Sequence, residues 1–464
     1  MKTPDLLYLT GFIFTFFVAF LFIRYIYWGF ISRKYYWKKN EDLLVGKQLP
    51  FFTIMIPARD EADVIAYTID HLTSLNYPSN KYEIVVITDA KELRVKENYP
   101  NQITTQDVVK DLMEEFYIRK DRPALRHFTV PYDYDGRIGG ICIGREVAST
   151  KARALNYGLN YINPETTICS FFDAESRPEQ NVLLYIASRY LASCGKQKLW
   201  QGPVFQVRNF YKLGPINKII ALYQALAHEW YLPILMKHLP FLGGTNLHVE
   251  SELLLKIGGY DPTVLSEDLE LGIRAYLEAN QWPEYIPVVS TEQTPASYKA
   301  YYRQRLRWGS GHLQVFDKLR TSTAYPDSKR IPLLRTLYWK GHAQWYLYQI
   351  LALSPYVFLF LVIQGKLDST AIPEEIRSSL SWLTPLFYSF TFYLFYRYRN
   401  FIDTSAAPRV ILRFLSVLQL AILPIVGMFI ALPFTSALVL RAFNRQPQIW
   451  VKTPRTQEVR TKVT

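Results

Sequence analysis

The sequence predicts an α/β protein: a water-facing domain on a mostly parallel sheet, with helices on both faces, inserted between transmembrane helices. Two observations predict this. Long uncharged runs gather at the two ends of the 464-residue chain. Between them, short apolar runs ending in acidic residues alternate with amphipathic stretches, the pattern of strands feeding helices. Hydrophobic residues at 49% and aromatics at 16% exclude a disordered chain. A balance of 53 Lys+Arg against 40 Asp+Glu, net +13, points to an anionic partner: nucleic acid, a phosphorylated small molecule or a lipid headgroup surface. Cys142, Cys169 and Cys194 are too few and scattered for a disulfide framework or a zinc site, and fit a reduced, cytosol-facing domain.

Leu6 to Ile23 carries no charge and runs on through Ile31 with Arg24 as its interruption. About 20 apolar residues cross a bilayer as a helix. The basic residues Arg33, Lys34, Lys38 and Lys39 follow the run and no small-residue cleavage site appears, so it reads as an uncleaved anchor. The positive-inside rule then places the following region in the cytoplasm. Ala343 to Gly365 and Ser378 to Tyr396 read as two further spans, joined by an outer loop carrying Glu374 and Glu375. Phe414 to Leu440, broken by Pro424, Gly427 and Pro433, reads as a kinked hairpin that returns the basic tail to the cytoplasm. Arg441 and Arg445 read as flanking charges. The expected divisions are an anchor and basic flank at 1–44, the folded domain at 45–312, an interface helix region at 313–340, C-terminal membrane helices at 341–443 and a basic tail at 444–464.

In the folded domain, Phe51 to Ile56 is a strand ended by Pro57, and Ala58-Arg59-Asp60-Glu61 leads into an amphipathic helix through Leu72. Tyr82 to Ile87 is a second strand, ended by Thr88-Asp89. Ile168 to Phe172 is a third, ended by Asp173-Ala174-Glu175. Ligands of such sheets bind beyond the carboxyl ends of the strands. One acidic residue there reads as a helix cap, but three along one edge call for a cation. Asp173 and Glu175, one residue apart on a turn, can both reach Mg2+ or Mn2+, which takes oxygen ligands and is completed by substrate phosphates. The D-x-E pattern alone is common; its position and company give it weight.

That company is Ser149-Thr150-Lys151-Ala152-Arg153-Ala154-Leu155-Asn156, then Gly243-Gly244-Thr245-Asn246, Gly258-Gly259-Tyr260-Asp261, Ser266-Glu267-Asp268, Gln304-Arg305-Leu306-Arg307-Trp308 and Gly309-Ser310-Gly311-His312. In order and spacing, Leu49 to His312 resembles the family 2 glycosyltransferases, in particular the membrane-embedded cellulose-synthase-like and chitin- or hyaluronan-synthase-like branch. The resemblance implies a GT-A fold, a nucleotide-sugar donor with UDP favoured, Mg2+ or Mn2+, and inverting transfer that makes a β-glycoside. It implies donor contacts at Pro57, Glu61, Asp89, Lys151 and Asn156, metal ligands at Asp173 and Glu175, and Asp268 as catalytic base. It implies acceptor and diphosphate contacts at Gln304, Arg305, Arg307 and Trp308. The chain departs from the family pattern at Asp60, Thr88, Glu175 and Ser266. His248 and His312 read as structural histidines.

Leu313 to Lys340 mixes apolar residues with Lys318, Arg320, Lys329, Arg330, Arg335 and Lys340, a basic amphipathic helix for the cytoplasmic leaflet. Membrane-flanking charge then accounts for much of the +13 without nucleic acid. Ala90 to Val147 reads as a charged insertion without assigned function. The expected setting is the plasma (inner) membrane, with the folded domain cytoplasmic. Two products stay open, a polysaccharide, to which the sequence inclines, and a glycolipid made by one transfer. A third reading is a membrane receptor or scaffold that keeps the fold without catalysis; Asp268 and Arg307 argue against it.

Overall fold

The computed structural model describes residues 3–37, 48–118, 122–366 and 373–447, with Thr453 and Thr456. Ten strands are formed: β1 Phe51–Pro57, β2 Tyr82–Asp89, β3 Ala124–Val130, β4 Thr166–Phe171, β5 Arg177–Pro178, β6 Leu199–Gln201, β7 Val204–Phe205, β8 Leu247–Glu250, β9 Glu284–Tyr285 and β10 Ser290–Thr291. The main sheet runs β3-β2-β1-β4-β8-β6-β9. β1 pairs parallel with both β2 and β4, and β2 with β3, whereas β8 is antiparallel to β4 and β6. Part of the expected insertion is therefore a structural edge: β3 extends the sheet.

The strands are apolar on both faces because helices cover both. Phe52, Ile54, Ile56, Ile84 and Val86 enter one core, and the alternate residues Met55, Val85 and Ile87 enter the other. Helix α1 is Thr3–Trp37; α2 (Ile65–Thr73), α3 (Thr105–Ile118), α4 (Lys151–Leu159) and α5 (Val182–Ala192) flank the sheet. α6 is Pro215–Leu226, α7 Glu267–Ala279, α8 Tyr298–Thr321, α9 Asp327–Tyr338, α10 Gln344–Ile363, α11 Glu374–Tyr398, α12 Val410–Leu418 and α13 Leu423–Ala442. A third core joins the domain to the terminal helices: Phe205, Phe210 and the apolar face of α6 pack with Leu394 and Tyr398 of α11 and Val426 of α13.

Among the described residues, two helices are long and apolar enough to cross a membrane, Gly11–Tyr35 and Asp327–Ile363. A third span results if Val410–Ile422 and Val426–Ala442, bent by 67°, count as one. Ser378 to Tyr396 lies within the helix α11. The expected single interface helix is divided: Ser322 to Pro326 separates α8 from α9, because the proline disfavours helical backbone at the residue before it. Leu333 and Leu337 of α9 pack on Leu269, Ile273 and Leu277 of α7, so this segment is tied to the folded domain. It continues through a π-helical turn, Trp339–Ala343, straight into α10. The expected basic positions Lys38, Lys39, Lys452, Arg455, Arg460 and Lys462 lie outside the described residues.

Candidate active site

β1 has β2 on one side and β4 on the other, so chain direction around the sheet reverses between β1 and β4. Clefts open at such a switch point. One does here, enclosing about 1430 Å3 of empty space with its mouth included. Pro57 and Glu61 line it from beyond β1, Asp89 from the end of β2, and Asp173 from beyond β4. Lys151, Asp268, Gln304, Arg307 and Trp308 line it as well. Nine positions spread over the chain thus converge on one site.

Local structure aims each of them. Thr150 Oγ1 accepts from the Arg153 amide at 3.1 Å and starts α4, which turns Lys151 to the cleft. The Lys151 ammonium bonds the Asp173 carboxylate and, at 2.8 Å, the Gly244 carbonyl. Burial opposes its charge, but Asp173, Glu267 and Asp268 outweigh burial and hold its pKa above the usual value. Asn156 lies five residues further on, about 140° round the helix. It is 0% exposed and lies outside the cleft lining. Its side chain bonds the carbonyls of Gly136 and Tyr260 and the Tyr260 amide. The expected donor contact Asn156 thus ties α4 to the Gly136 and Tyr260 backbone.

Asp89 lines the cleft but is engaged from behind: it accepts from Arg153 Nη1 at 2.9 Å, Ser149 Oγ at 2.6 Å and the Lys91 amide at 3.0 Å. Arg153 is buried, so this pair fixes the β2 end to α4; removing one partner of such a pair costs about 3–5 kcal/mol.

Ser266-Glu267-Asp268 enters α7 and docks on α8 at Gly311, where a Cβ would meet Ser266 Oγ at 2.2 Å. Gln314 fixes the same loop by accepting from the Leu265 amide at 2.9 Å. Burial raises the Asp268 pKa against the pull of the Leu269 amide, Lys151 and Arg307. Its neighbour Glu267, also in the cleft, is pushed up to about 7 by burial and by the Asp268 charge.

On α8, Gln304, Arg307, Trp308 and His312 recur at i, i+3, i+4 and i+8, one face of a helix, and all four line the cleft. Arg305 is about 100° off that face. It is buried, with Nη2 bonded to Gln206 Oε1 at 2.9 Å and its guanidinium 3.8 Å from the Trp308 ring centroid. The expected diphosphate contact, Arg305, is not among the cleft-lining residues: this side chain backs Trp308. His312, expected to be structural, lines the cleft. His248 is a buried structural histidine, bonded to Ser170 Oγ at 2.8 Å.

The expected metal pair is also divided. Glu175 is 1% exposed and does not line the cleft; the strand β5 starts two residues later. Among the described residues, no group of three or more His, Cys, Asp or Glu side chains forms a metal cage.

Sequence reasoning missed further lining residues, Gln206, Gln224, His228, Phe241, Glu292 and Thr453. The small sheet explains two of them. β10 pairs with β5 and β7 so that Thr291 stands beside Arg177 and Phe205. The next positions, Glu292, Ser176 and Gln206, then fall together. Glu292 Oε1 accepts from Ser176 Oγ at 2.6 Å and Thr245 Oγ1 at 3.0 Å. Those two hydroxyls lie 3.1 and 3.2 Å from the Asp173 amide nitrogen, which donates to them. His228 sits in a π-helical turn, Ala227–Tyr231, and its Nδ1 accepts from the Val204 amide at 3.2 Å. Burial and Arg305 lower its pKa to about 3. A neutral ring accepting at Nδ1 carries its proton on Nε2. Thr453 carries no sequence signal for this role; Thr456 anchors its neighbourhood through two bonds with Gln293.

The description "Glycosyl transferase family group 2" matches residues 170–443, more than half of the chain, and the chain belongs to that family. It is 26% identical over 305 residues to the probable glycosyltransferase YdaM of Bacillus subtilis (strain 168), covering 64% of this chain and 62% of that protein. It is 24% identical over 349 residues to a beta-monoglucosyldiacylglycerol synthase of Synechocystis sp., covering 73% and 60%. Against glucomannan 4-beta-mannosyltransferase 1 of Cyamopsis tetragonoloba it is 23% identical over 324 residues, covering 66% and 54%. The chain thus spans 54–62% of the length of these relatives. Among solved structures it is similar to the mannosyltransferase PcManGT from Pyrobaculum calidifontis in complex with GDP-Man and Mn2+, with TM-score 0.51, 16% identity, and coverage of 95% and 99%. The fold is of the GT-A class.

Proposed function

We propose that this protein is a membrane-bound inverting glycosyltransferase that moves a sugar from a nucleotide sugar, UDP-linked in the favoured case, to a hydroxyl presented at the membrane face. The observation that carries this is the meeting of Asp268 and Arg307, from separate helices, in the cleft that Asp173 enters from the strand ends. The donor's base lies toward Pro57, Glu61 and Asp89, and its diphosphate toward Lys151 and Arg307. Asp268, ionised, takes the proton of the acceptor hydroxyl as that oxygen bonds to the anomeric carbon. The bond from that carbon to the diphosphate oxygen breaks, and Arg307 holds the departing charge. Attack opposite the leaving group inverts the centre, so an α-linked donor gives a β-glycoside. Trp308 offers the acceptor a flat apolar face, with the Arg305 cation stacked behind it.

Asp173 fits a hard divalent cation held by one carboxylate and completed by phosphate oxygens; the pair Asp173 and Glu175 does not. Mg2+ or Mn2+ bound there shares the diphosphate charge. The reading includes the cellulose-synthase-like branch in its broad sense, an inner-membrane enzyme with a cytoplasmic cleft. Close packing of α13 on α8 supports an acceptor at the membrane face: a Cβ on Gly309 would lie 3.1 Å from that of Ala437. Of the two products, a glycolipid made by one transfer is the one we favour: among the described residues two or three helices are of membrane length.

The test supplies membranes with labelled UDP-glucose, UDP-N-acetylglucosamine or GDP-mannose and Mg2+. Label enters product, and Asp268→Asn abolishes it; equal incorporation by the variant would remove Asp268 from its role. Product extracted into chloroform is glycolipid, and product left as high polymer is polysaccharide.

A further inference from the structure

Arg24 lies inside the apolar helix Gly11–Tyr35. A charge there is expensive, and such residues face a partner or a functional path. Its guanidinium carbon lies 4.4 Å from the ring centroid of Trp28, 4.9 Å from Tyr348 and 5.5 Å from Tyr25. Its Nε is buried with no hydrogen-bond partner among the described residues. Trp28 packs on Tyr231 at 4.5 Å between centroids, and Lys340 Nζ lies 5.8 Å from the Tyr231 ring. Arg24, Trp28, Tyr231 and Lys340 thus form a continuous strip, short enough for the two cations to repel one another. Neither cation is ion-paired with a carboxylate among the described residues.

The depth of this strip is set by its neighbours. Just past Arg24, Gly29 packs on Trp230 and Tyr35 on Tyr285, both in the folded domain. Lys340 belongs to the π-helical turn inside the helix Asp327–Ile363, between α9, which packs on the folded domain, and the apolar α10. Both cations therefore stand where the apolar helices meet the water-facing domain, the level of headgroups and of interfacial Trp and Tyr. Cation–π contact contributes roughly 0.5–2 kcal/mol, too little to offset two neighbouring desolvated charges. Basic pockets between spans at this level take anionic headgroups. The lipid-side neighbours Ile23, Ile26 and Tyr27 are exposed and offer an acyl chain a surface, which a free phosphate would not use.

We propose that Arg24 and Lys340 jointly hold the phosphate of an anionic membrane lipid, seated on Trp28, Tyr231 and Tyr348. None of these five residues lines the cleft, so the site is separate from the acceptor site. It rests on the two apolar helices entering a membrane, not on the glycosyl-transfer reading. The lipid ties α1 to the turn 227–231, whose His228 does line the cleft, and so couples membrane charge to the shape of the site.

The test uses the purified full chain in a neutral detergent, with phosphatidylglycerol, phosphatidylcholine or inorganic phosphate added in turn. Thermal unfolding and native mass spectrometry are the readouts. Phosphatidylglycerol raises the unfolding temperature and stays bound. Arg24→Gln and Lys340→Gln each weaken its apparent affinity about fivefold, the effect of one cation near a charged headgroup. Arg24→Lys keeps most of it, and Arg335→Gln, exposed on α9, leaves it unchanged. Equal stabilisation by phosphatidylcholine or by inorganic phosphate would overturn the proposal. So would wild-type binding by both Gln variants.

Discussion

Gly244 and Asp268 are in contact across the cleft: a Cβ on Gly244 would lie 2.7 Å from Asp268 Oδ2, and 3.4 Å from the Lys151 Nζ. Gly244 also has φ +73°, a backbone conformation that side chains resist. The Gly243-Gly244 turn therefore sets the position of the Asp268 carboxylate as well as that of the Lys151 ammonium.

Gly244→Ala is expected to cost about 1–3 kcal/mol of stability through the backbone alone. Transfer should fall further, at least tenfold, because the carboxylate must move from the site where it takes a proton. Gly214→Ala is the control: φ there is −71° and no atom lies within 4 Å of an added Cβ. Denaturation and turnover measured on both variants decide this; a fully active Gly244→Ala protein would contradict it.

The Glu267 and Asp268 pair predicts a pH-dependent stability. Glu267 titrates at about 7 in the folded protein against 4.5 for the ordinary group. The folded state binds the extra proton in this window, so stability falls as pH rises from about 4.5 to about 7 and is flat above. Glu267→Gln mimics the protonated acid. It should match the wild type near pH 4 and exceed it at pH 8, by on the order of 2–3 kcal/mol. Chemical denaturation across that range is the measurement, and parallel curves for the two proteins would refute the assignment.

Glu292 is a positioning residue on these distances. Its carboxylate holds the hydroxyls of Ser176 and Thr245, which hold the Asp173 amide. Gln206 Nε2 lies 3.5 Å from the other oxygen, and Gln206 in turn holds Arg305 beneath Trp308. Glu292→Ala leaves buried hydroxyls without their acceptor, at roughly 1–3 kcal/mol. It should lower kcat more than it raises the donor KM. Glu292→Gln keeps one acceptor oxygen and should recover part of the loss; no difference between Ala and Gln would count against the network.

How far the sequence reaches is clear from these residues. β1, β2 and β4 were legible because strands buried on both faces are runs of apolar residues, and their acidic ends do lie along one edge. β6, β7, β9 and β10, of two or three residues, are too short to carry a period, and so the neighbourhood of Glu292 had no signal. The Gln304 to Trp308 motif was legible as a motif. Which arginine faces the cleft was a matter of helical phase, and that phase separates Arg307 from Arg305. The same phase separates Lys151 from Asn156. Thr453 reaches the cleft by a long return of the chain, which local pattern cannot encode.

The division of Asp173 from Glu175 gives the last prediction. Asp173 faces the cleft and is held by the Lys151 ammonium, while Glu175 is buried outside it. On the proposed function, a divalent cation arriving with a nucleoside diphosphate would take Asp173 as its protein ligand and leave Glu175 untouched. Binding of Mn2+ with UDP, followed by calorimetry or by the paramagnetic signal, should weaken at least tenfold in Asp173→Asn. In Glu175→Gln the affinity should stay within about twofold of wild type, while unfolding shifts by roughly 1–3 kcal/mol through the lost buried interactions. Both readouts are independent of turnover. An equal loss of Mn2+ affinity in the two variants would return Glu175 to the metal and require its carboxylate to swing into the cleft.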